Sequence, residues 1–441
     1  MTKKDLIKRI FYGDVSVWII FLLLCCLSLV EVFSATSAQA FMKSNIWMPI
    51  IKHTVILFFG AILVVWLSHV HYKFFSLAIL LLPVAILMLL ITPFVGLNIN
   101  SAARSLELFG FQFQPSEVAK LACVVYVAFW LSKRGKMSDS VIFKIILWGI
   151  IPPCLLIAYG NLSTAILLGL VCFLMMFIGH IPLDKLGKLL LSTTVALLLG
   201  ALLICTMPPD MMKTVAKYIP RAPTWKERII EFVNPEQSSK SESSEAAQRM
   251  AAAKNDSIFI ITDDNRQVNQ AKMAIARGGL FGKGPGQSVQ RDVLPLAYSD
   301  FIYAIIVEEL GIILGGLGVL LLYIMLLIRV GIISRQCDRF FPQYLVLGCG
   351  LMIVIQAFIN IAVAVNLIPV TGQPLPLICQ GGTSTVMTCV YMGIILSISH
   401  FGARMDEEDN FVENAEEGEN EPETDEPSNE DIISTVNQTE T

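Results

Sequence analysis

Residues 74–94 read FFSLAILLLPVAILMLLITPF, and none of these 21 residues is charged. A helix crosses the apolar core of a bilayer with about 20 predominantly apolar residues, because each residue advances it by about 1.5 Å. In that core the backbone must satisfy its own hydrogen bonds, which a helix does within one segment. The stretch therefore predicts a membrane-spanning helix.

Nine further apolar runs match this pattern, so the sequence predicts an all-α polytopic membrane protein with about ten transmembrane helices. The runs cover residues 15–33, 47–67, 115–131, 141–159, 162–178, 187–205, 301–329, 344–368 and 376–400. Charged residues make up only 15% of the chain, against about 25% in soluble proteins, which excludes a soluble globular protein. The first run exceeds the roughly 7–15 apolar residues of a signal-peptide core, so we expect an uncleaved helix.

Basic residues are concentrated in alternate loops, and this sets the orientation of the spans. A cytoplasmic N-terminus places on one side of the membrane residues 3–9, Lys73, residues 133–136, residues 185–188, residues 329–339 and Arg404. The positive-inside rule then predicts that both termini are cytoplasmic. The long loop of residues 206–300, between spans seven and eight, is consequently extracytoplasmic.

Residues 1–405 are predicted to form one membrane domain, followed by a disordered acidic cytoplasmic tail at 406–441. This tail holds 15 of the 36 acidic residues and no Lys or Arg, so it has little apolar surface to offset its ordering entropy. Within the loop, residues 236–266 are predicted to be a flexible insertion. Its flanks at 224–230 and 270–280 have amphipathic helical patterns.

A glycine-rich stretch, GGLFGKGPGQS at residues 278–288, lies near the end of the long loop. Glycine takes positive φ angles and lets the backbone approach a ligand closely, but the same residues also form plain turns. The stretch lacks the Gly-Lys-Ser/Thr ending of a P-loop. The residues alone leave a ligand-binding loop and a turn both open.

Four charged residues lie at or near the outer ends of predicted spans. Asp300, before span eight, could cap the helix or carry a function. Glu117 and Lys120 lie on one face of span four, where they could form a salt bridge or line a polar cavity. Arg104, on an outer loop, would suit a phosphate or a lipid headgroup.

Two further carboxylates, Glu308 and Glu309, lie inside the predicted span eight. They are about 12–14 Å along the helix from Asp300, so they cannot share a single reaction step with it. A charge inside a membrane segment usually has a partner. We therefore expect them to pair within the bundle, with Lys52 and His53 as candidate partners.

Four motifs occur in one order along the chain: Gln-Pro-Ser-Glu followed by a Lys (114–120), Gly-Gly-Leu-Phe-Gly-x-Gly-x-Gly-x-Ser (278–288), Ser-Asp-Phe-Ile-Tyr-Ala with Glu-Glu-Leu-Gly (299–311), and Pro-Val-Thr-Gly with Gly-Gly-Thr-Ser (369–384). With these motifs and about ten spans, the chain resembles the SEDS family (shape, elongation, division and sporulation), the family of FtsW, RodA and SpoVE. The resemblance covers about residues 15–402, apart from the insertion.

The resemblance implies a peptidoglycan glycosyltransferase that polymerises lipid II, an undecaprenyl-pyrophosphate-linked disaccharide peptide, at the outer face of the bacterial inner membrane. It implies that Asp300 is the catalytic carboxylate, beside a cavity for the substrate. The predicted substrate-binding residues are Arg104, Glu117, Lys120, Gly282, Gly284, Gly286, Ser288, Gly381, Gly382, Thr383 and Ser384.

The chemistry of this reaction fits a single outer carboxylate. The 4-hydroxyl of an acceptor sugar attacks the α-linked donor with inversion, and a base must take the hydroxyl proton; Asp300 would be that base. Pyrophosphate leaves as an anion, so no second carboxylate is needed as an acid, unlike in glycoside hydrolysis. We predict that Arg104 and a divalent cation, Mg²⁺ or Mn²⁺, stabilise the leaving group.

Within the family, residues 161–165 and 221–229 favour the FtsW-like division branch over a RodA-like elongation polymerase. By analogy we expect location at the division septum. We also expect a class B penicillin-binding protein transpeptidase and other divisome proteins as partners, and no nucleic acid. Two other classes stay open, a lipid II flippase that uses the membrane-embedded charges without chemistry, and a non-catalytic scaffold of the divisome.

Overall fold

The structure, a computed structural model, describes residues 12–42, 47–99, 102–108, 111–219, 221–233, 266–292 and 300–419. Nine helices within these ranges are long and apolar enough to cross a membrane, and the shorter apolar helix Leu162–Ile178 is a tenth candidate. The prediction of an all-α membrane protein with about ten spans is confirmed. Residues 236–265 of the predicted flexible insertion and residues 420–441 of the predicted tail lie outside the described ranges.

The helices follow one another along the chain with short connections, except after α3, α9, α10 and α13. In chain order they are α1 (Val15–Met42), α2 (Trp47–Ser68), α3 (Leu81–Val95), α4 (Pro115–Ser132), α5 (Asp139–Gly160), α6 (Leu162–Ile178), α7 (Leu183–Thr206), α8 (Pro209–Tyr218), α9 (Ala222–Val233), α10 (Arg266–Gly278), α11 (Ile302–Gly311), α12 (Gly318–Arg335), α13 (Phe340–Ala364) and α14 (Thr383–Glu419). A 3₁₀ segment, Tyr72–Leu80, leads into α3 and completes the third span. Helices α9 and α10 confirm the two amphipathic patterns in the long loop.

A small antiparallel sheet occupies the connection between α3 and α4, where the sequence predicted only a loop. Its strands are β1 (Leu97–Ile99), β2 (Ala102–Leu108) and β3 (Phe111–Phe113), in the order β1-β2-β3. Two of the strands have only three residues, too few for an alternating pattern to be recognised in the sequence. The sheet places the backbone of Arg104, on β2, between the end of α3 and the start of α4.

Helices α4, α13 and α14 form the most deeply buried part of the bundle. Helix α13 packs against α4 and α12, and α14 packs along α2. A Cβ atom at Gly348 would lie 2.6 Å from Cγ1 of Val124, so glycine allows α13 and α4 to approach closely. The buried polar side chains that these helices carry therefore face one another instead of lipid.

Candidate functional site

Asp300 lies immediately before α11, at the end of the span that follows the long loop. Its backbone carbonyl oxygen accepts a hydrogen bond of 2.9 Å from Nδ2 of Asn360. Its carboxylate faces the segment between α13 and α14, because a Cβ atom at Gly372 would lie 3.5 Å from Oδ2 of Asp300. The N-cap residue of α11 is Phe301, so Asp300 does not occupy the capping position that the sequence left open.

The segment of residues 365–382, which we call the re-entrant loop, connects α13 to α14 without forming a helix. The sequence predicted an interruption between the apolar runs 344–368 and 376–400, but α14 begins at Thr383 instead of 376. Gly372 and Leu377 have φ angles of +65° and +64°, so both adopt the left-handed conformation that helices and strands exclude. The hydroxyl of Tyr323 donates to the carbonyl oxygen of Pro376 at 2.6 Å. Irregular backbone at membrane depth is tolerated where protein groups satisfy it in this way.

Two buried amides on α13 hold the re-entrant loop. Nδ2 of Asn360 donates to the carbonyl oxygen of Gln373 at 2.7 Å, and Nε2 of Gln356 donates to that of Pro374 at 3.0 Å. The two amides are four residues apart and so lie on one face of the helix. The Gln373 side chain continues the network, since its Nε2 donates to Oγ1 of Thr164 at 2.8 Å.

Glu117 and Lys120 form the buried salt bridge that was one of their two predicted roles. Lys120 Nζ lies 2.8 Å from Oε1 of Glu117, and both side chains are almost completely inaccessible. Nζ also donates to Oε1 of Gln356 at 3.0 Å. Because Gln356 bonds in turn to Pro374, the ion pair supports the re-entrant loop beside Asp300. A buried ion pair needs such additional hydrogen bonds to offset its desolvation.

Residues 381–384 join the re-entrant loop to α14. The Thr383 hydroxyl donates to the carbonyl oxygen of Gln112 on β3 at 2.8 Å, and the Ser384 N–H donates to the carbonyl of Gly381 at 3.1 Å. Gly382 has a φ angle of +51°, which glycine adopts without strain. The sheet with Arg104 and the loop beside Asp300 are thus connected through Thr383.

The glycine-rich stretch, residues 278–288, folds over the two glutamates of α11. Lys283 Nζ lies 3.1 Å from Oε1 of Glu308, and the Ser288 hydroxyl donates to Oε2 of Glu308 at 2.5 Å. The Gly286 N–H donates to Oε2 of Glu309 at 2.9 Å. The predicted pairing of these glutamates with Lys52 and His53 is therefore wrong.

His53 instead shares a hydrogen bond of 2.8 Å with the hydroxyl of Ser28 on α1. Lys283 could not be recognised as the partner from the sequence, because it lies 25 residues from Glu308 and outside span eight. The predicted substrate contacts of Gly282, Gly284, Gly286 and Ser288 stay a prediction.

Span eight was predicted as one continuous helix and is instead interrupted. Helix α11 ends at Gly311, which has a φ angle of +80°, and a π-helical turn, Ile312–Leu317, precedes α12. The Ile312 N–H donates to the carbonyl oxygen of Gly279 at 2.9 Å. The glycine-rich stretch thus supplies an acceptor that the interrupted helix lacks, as π-bulges at functional sites often require.

A divalent cation would find few protein ligands at Asp300. Within the described ranges, no group of three or more His, Cys, Asp or Glu side chains is arranged to hold a metal ion. Mg²⁺ commonly binds through one or two carboxylates together with substrate phosphates and water. Asp300 fits one such ligand, and the predicted cation stays a prediction.

The chain is similar to known proteins over almost its whole length. Residues 14–404 match the FtsW, RodA and SpoVE cell cycle protein family. The chain is 30% identical to the probable peptidoglycan glycosyltransferase FtsW of Saccharophagus degradans over 73% of its own length and 74% of the relative. It is 28% identical to the protein of the same name from Geobacter sulfurreducens, over 89% of this chain and 96% of the relative.

Solved structures have a similar fold. A chain from a peptidoglycan synthase complex that coordinates polymerization and crosslinking gives a TM-score of 0.66 at 22% identity, covering 88% of this chain and 98% of that one. The rod shape determining protein RodA of Thermus thermophilus gives 0.57 at 21% identity, covering 88% and 96%. The sequence resemblance is confirmed, and the chain belongs to the FtsW, RodA and SpoVE family of cell cycle proteins.

Proposed function

We propose that this protein is a peptidoglycan glycosyltransferase that polymerises lipid II into β-1,4-linked glycan strands, with Asp300 as the general base. The main observation behind this proposal is that the Asp300 carboxylate faces the irregular re-entrant loop. Asn360 holds Asp300 in this position through a hydrogen bond to its backbone carbonyl oxygen. The relatives named peptidoglycan glycosyltransferase support the same reaction.

In the reaction, the acceptor 4-hydroxyl oxygen forms a bond to the anomeric carbon of the donor. The bond from that carbon to the pyrophosphate oxygen breaks, and the pyrophosphate leaves with the electron pair. The hydroxyl proton passes to Asp300, which must be ionised beforehand. A divalent cation, when bound, would neutralise charge on the leaving pyrophosphate.

The rigid support of Asp300 matters because the carboxylate must meet the hydroxyl within hydrogen-bond distance. The Lys120–Gln356–Pro374 chain and the Asn360–Gln373 bond hold the re-entrant loop against α4, α6 and α13. A misplacement of about 1 Å in such a site can cost about 100-fold in rate. We assign Glu117 and Lys120 to this support.

The division branch, with location at the septum, is our proposed cellular role, and elongation is the alternative. We also propose coupling to a class B penicillin-binding protein and to other divisome proteins. The similarity to a chain of a synthase complex that coordinates polymerization and crosslinking supports a crosslinking partner. The orientation with both termini in the cytoplasm follows from the positive-inside rule. It places Asp300 at the outer face of the inner membrane, where lipid II is polymerised.

The test is polymerisation of fluorescent lipid II by the purified full-length protein with its cognate class B penicillin-binding protein. Asp300→Asn and Asp300→Ala should each reduce strand synthesis by about 100-fold or more, the contribution of a positioned base. The matched control is Asp210→Asn, which alters a 98% exposed carboxylate on α8 and should leave the rate unchanged.

The assay also separates the alternatives. Removal of divalent cations with EDTA, followed by Mg²⁺ or Mn²⁺, tests the proposed cation. Folded Asp300 variants that make strands at the wild-type rate would remove Asp300 as the base. A correctly partnered wild type that makes no strands, but moves lipid II across vesicles, would support a flippase instead.

A further inference from the structure

Helix α9 brings a guanidinium group to the re-entrant loop. Nη1 of Arg228 donates to the carbonyl oxygen of Val370 at 2.8 Å. Val370 is two residues before Gly372, the position that faces Oδ2 of Asp300. Arg228 and the Asp300 carboxylate therefore contact the same three-residue stretch of the loop.

A second arginine, Arg221, lies directly before α9 and is only 4% exposed. Its Nε and Nη2 atoms are buried and have no hydrogen-bond partner among the described residues. Burial lowers the pKa of this guanidinium, and the charge of nearby Arg228 lowers it further. A buried charged donor without an acceptor is costly, and in native proteins such a group calls for an explanation.

A neutral donor on the re-entrant loop lies next to the residue that Arg228 contacts. The hydroxyl of Thr371 is buried and likewise has no partner within the part of the chain that the structure describes. It belongs to the residue between Val370, which Arg228 contacts, and Gly372, which faces Asp300. The described residues thus leave three buried donor atoms without a partner, two on Arg221 and one on Thr371. Arg228 links them, since its charge acts on Arg221 and its Nη1 bonds to the residue before Thr371.

The position of α9 suits a ligand whose charge lies at the membrane surface. Lys226 donates to the carbonyl oxygen of Met207 at 2.7 Å, immediately after the end of α7. The helix is therefore tied to the end of a candidate membrane span, and the ends of membrane spans lie near the lipid headgroups. A polyprenyl carrier holds its phosphates at this depth, because its chain lies in the bilayer.

We infer that Arg221, with Arg228 and Thr371, binds the diphosphate of the polyprenyl-linked sugar donor and holds it beside Asp300. This inference rests on the proposed function and deepens it, since the same diphosphate is the leaving group. The planar guanidinium donates two parallel hydrogen bonds to phosphate oxygens, and Arg221 has two unused donors. A diphosphate also carries more negative charge than a monophosphate, and the second arginine offsets this additional charge.

Direct binding measurements test the site without requiring turnover. Full-length protein in detergent is titrated with undecaprenyl diphosphate, undecaprenyl monophosphate and phosphatidylglycerol, and binding is followed by thermophoresis. The wild type should bind the diphosphate at least about ten-fold more tightly than the monophosphate, as two charge-assisted contacts allow. Added inorganic pyrophosphate should compete with undecaprenyl diphosphate for the site.

Arg221→Gln should weaken diphosphate binding by about ten-fold or more and should leave phosphatidylglycerol binding unchanged. Arg221→Lys should recover part of the loss, because the charge is kept but the fork geometry is not. The matched control is Arg277→Gln on α10, which removes an exposed guanidinium and should bind like the wild type.

Three outcomes would overturn the inference. The wild type could bind the monophosphate or phosphatidylglycerol as tightly as the diphosphate, inorganic pyrophosphate could fail to compete, or folded Arg221→Gln could bind the diphosphate as tightly as the wild type. The wild-type preference remains decisive even if that variant unfolds. Asp300→Asn should bind diphosphate normally while making no strands. A wild type that makes no strands but binds diphosphate through Arg221 would refute the proposed reaction and leave the site standing.

Discussion

Asn360 contributes one amide group to two parts of the candidate site. Its Nδ2 atom donates to the backbone carbonyls of Asp300 and Gln373, and the side chain is 1% exposed. Both bonds fix backbone, and neither reaches the Asp300 carboxylate. Asn360 is therefore a positioning residue for the general base.

Replacing Asn360 with Ala should lower kcat by about 10- to 100-fold through misplacement of Asp300, with little change in KM. It should also lower the free energy of unfolding by about 1–3 kcal/mol, since two buried carbonyls lose their donor. Lipid II polymerisation rates and thermal unfolding in detergent measure the two effects. The exposed amide Gln336 provides the control, Gln336→Ala. Loss of stability without loss of kcat would show that Asn360 serves folding alone.

The sequence identified some of these residues and missed others for a physical reason. Glu117 and Lys120 stood out because charges in an apolar span require an explanation, and their spacing within one helix predicted the salt bridge. Asn360 bonds to a residue 60 positions away. The partners of Asn360 depend on how distant segments pack, which no local pattern encodes. The burial of Arg221 also depends on the packing of distant segments and is therefore not encoded in a local pattern.

At the scale of elements, the glycine-rich stretch and the interrupted span eight form one unit. The N–H groups of Lys283 and Gly284 donate to the carbonyl oxygens of Glu308 and Glu309 at 3.0 and 2.8 Å. The sequence predicted both pieces, but it could not predict that one fills a break in the other. A π-turn is decided by which backbone acceptors are available in three dimensions, and the apolar run 312–317 gives no sign of it.

Gly282 is the position where this contact is closest. Its φ angle is +77°, and a Cβ atom there would lie 2.2 Å from the carbonyl oxygen of Glu309. Gly282→Ala should therefore cost the strain of a left-handed residue, about 1–2 kcal/mol, plus the displacement of the loop from α11. Thermal unfolding of the purified protein measures the loss.

Gly279→Ala is a matched control for that substitution. Gly279 also has a positive φ angle, +57°, but nothing lies within 4 Å of its added Cβ. Gly279→Ala should lose only the stability that the backbone strain costs. The difference in stability between the two variants therefore measures the cost of the close contact between residue 282 and Glu309. Equal destabilisation of both would mean that the contact with Glu309 contributes nothing.

At the scale of the whole molecule, an even number of spans requires both termini at the same end of the bundle. Asp14, directly before α1, meets this requirement through contacts with two late helices. Its backbone N–H donates to Oγ of Ser399 on α14 at 2.9 Å. Its carboxylate lies 2.5 Å from Nη2 of Arg329 on α12. Hydropathy could predict this common end, but not which residues join the helices there.

The ion pair of Asp14 predicts how stability depends on pH. Burial raises the pKa of Asp14, but hydrogen bonds from Arg329 and the Val17 N–H outweigh burial and leave it below its ordinary value of 3.8. The folded state therefore gains stability from this carboxylate above pH 3.8, and the gain is lost as pH falls through the lower folded pKa.

Asp14→Asn should consequently lower the free energy of unfolding by about 1 kcal/mol at pH 7, a value kept small because Arg329 is partly exposed. Thermal unfolding of wild type and variant is compared between pH 7 and pH 3, and the two curves should converge only at the acid end. Asp184→Asn, at an exposed carboxylate on α7, should match the wild type throughout. A difference in stability between wild type and Asp14→Asn that stays unchanged at the lowest pH would mean that the charge of Asp14 does not stabilise the contact between α1 and α12.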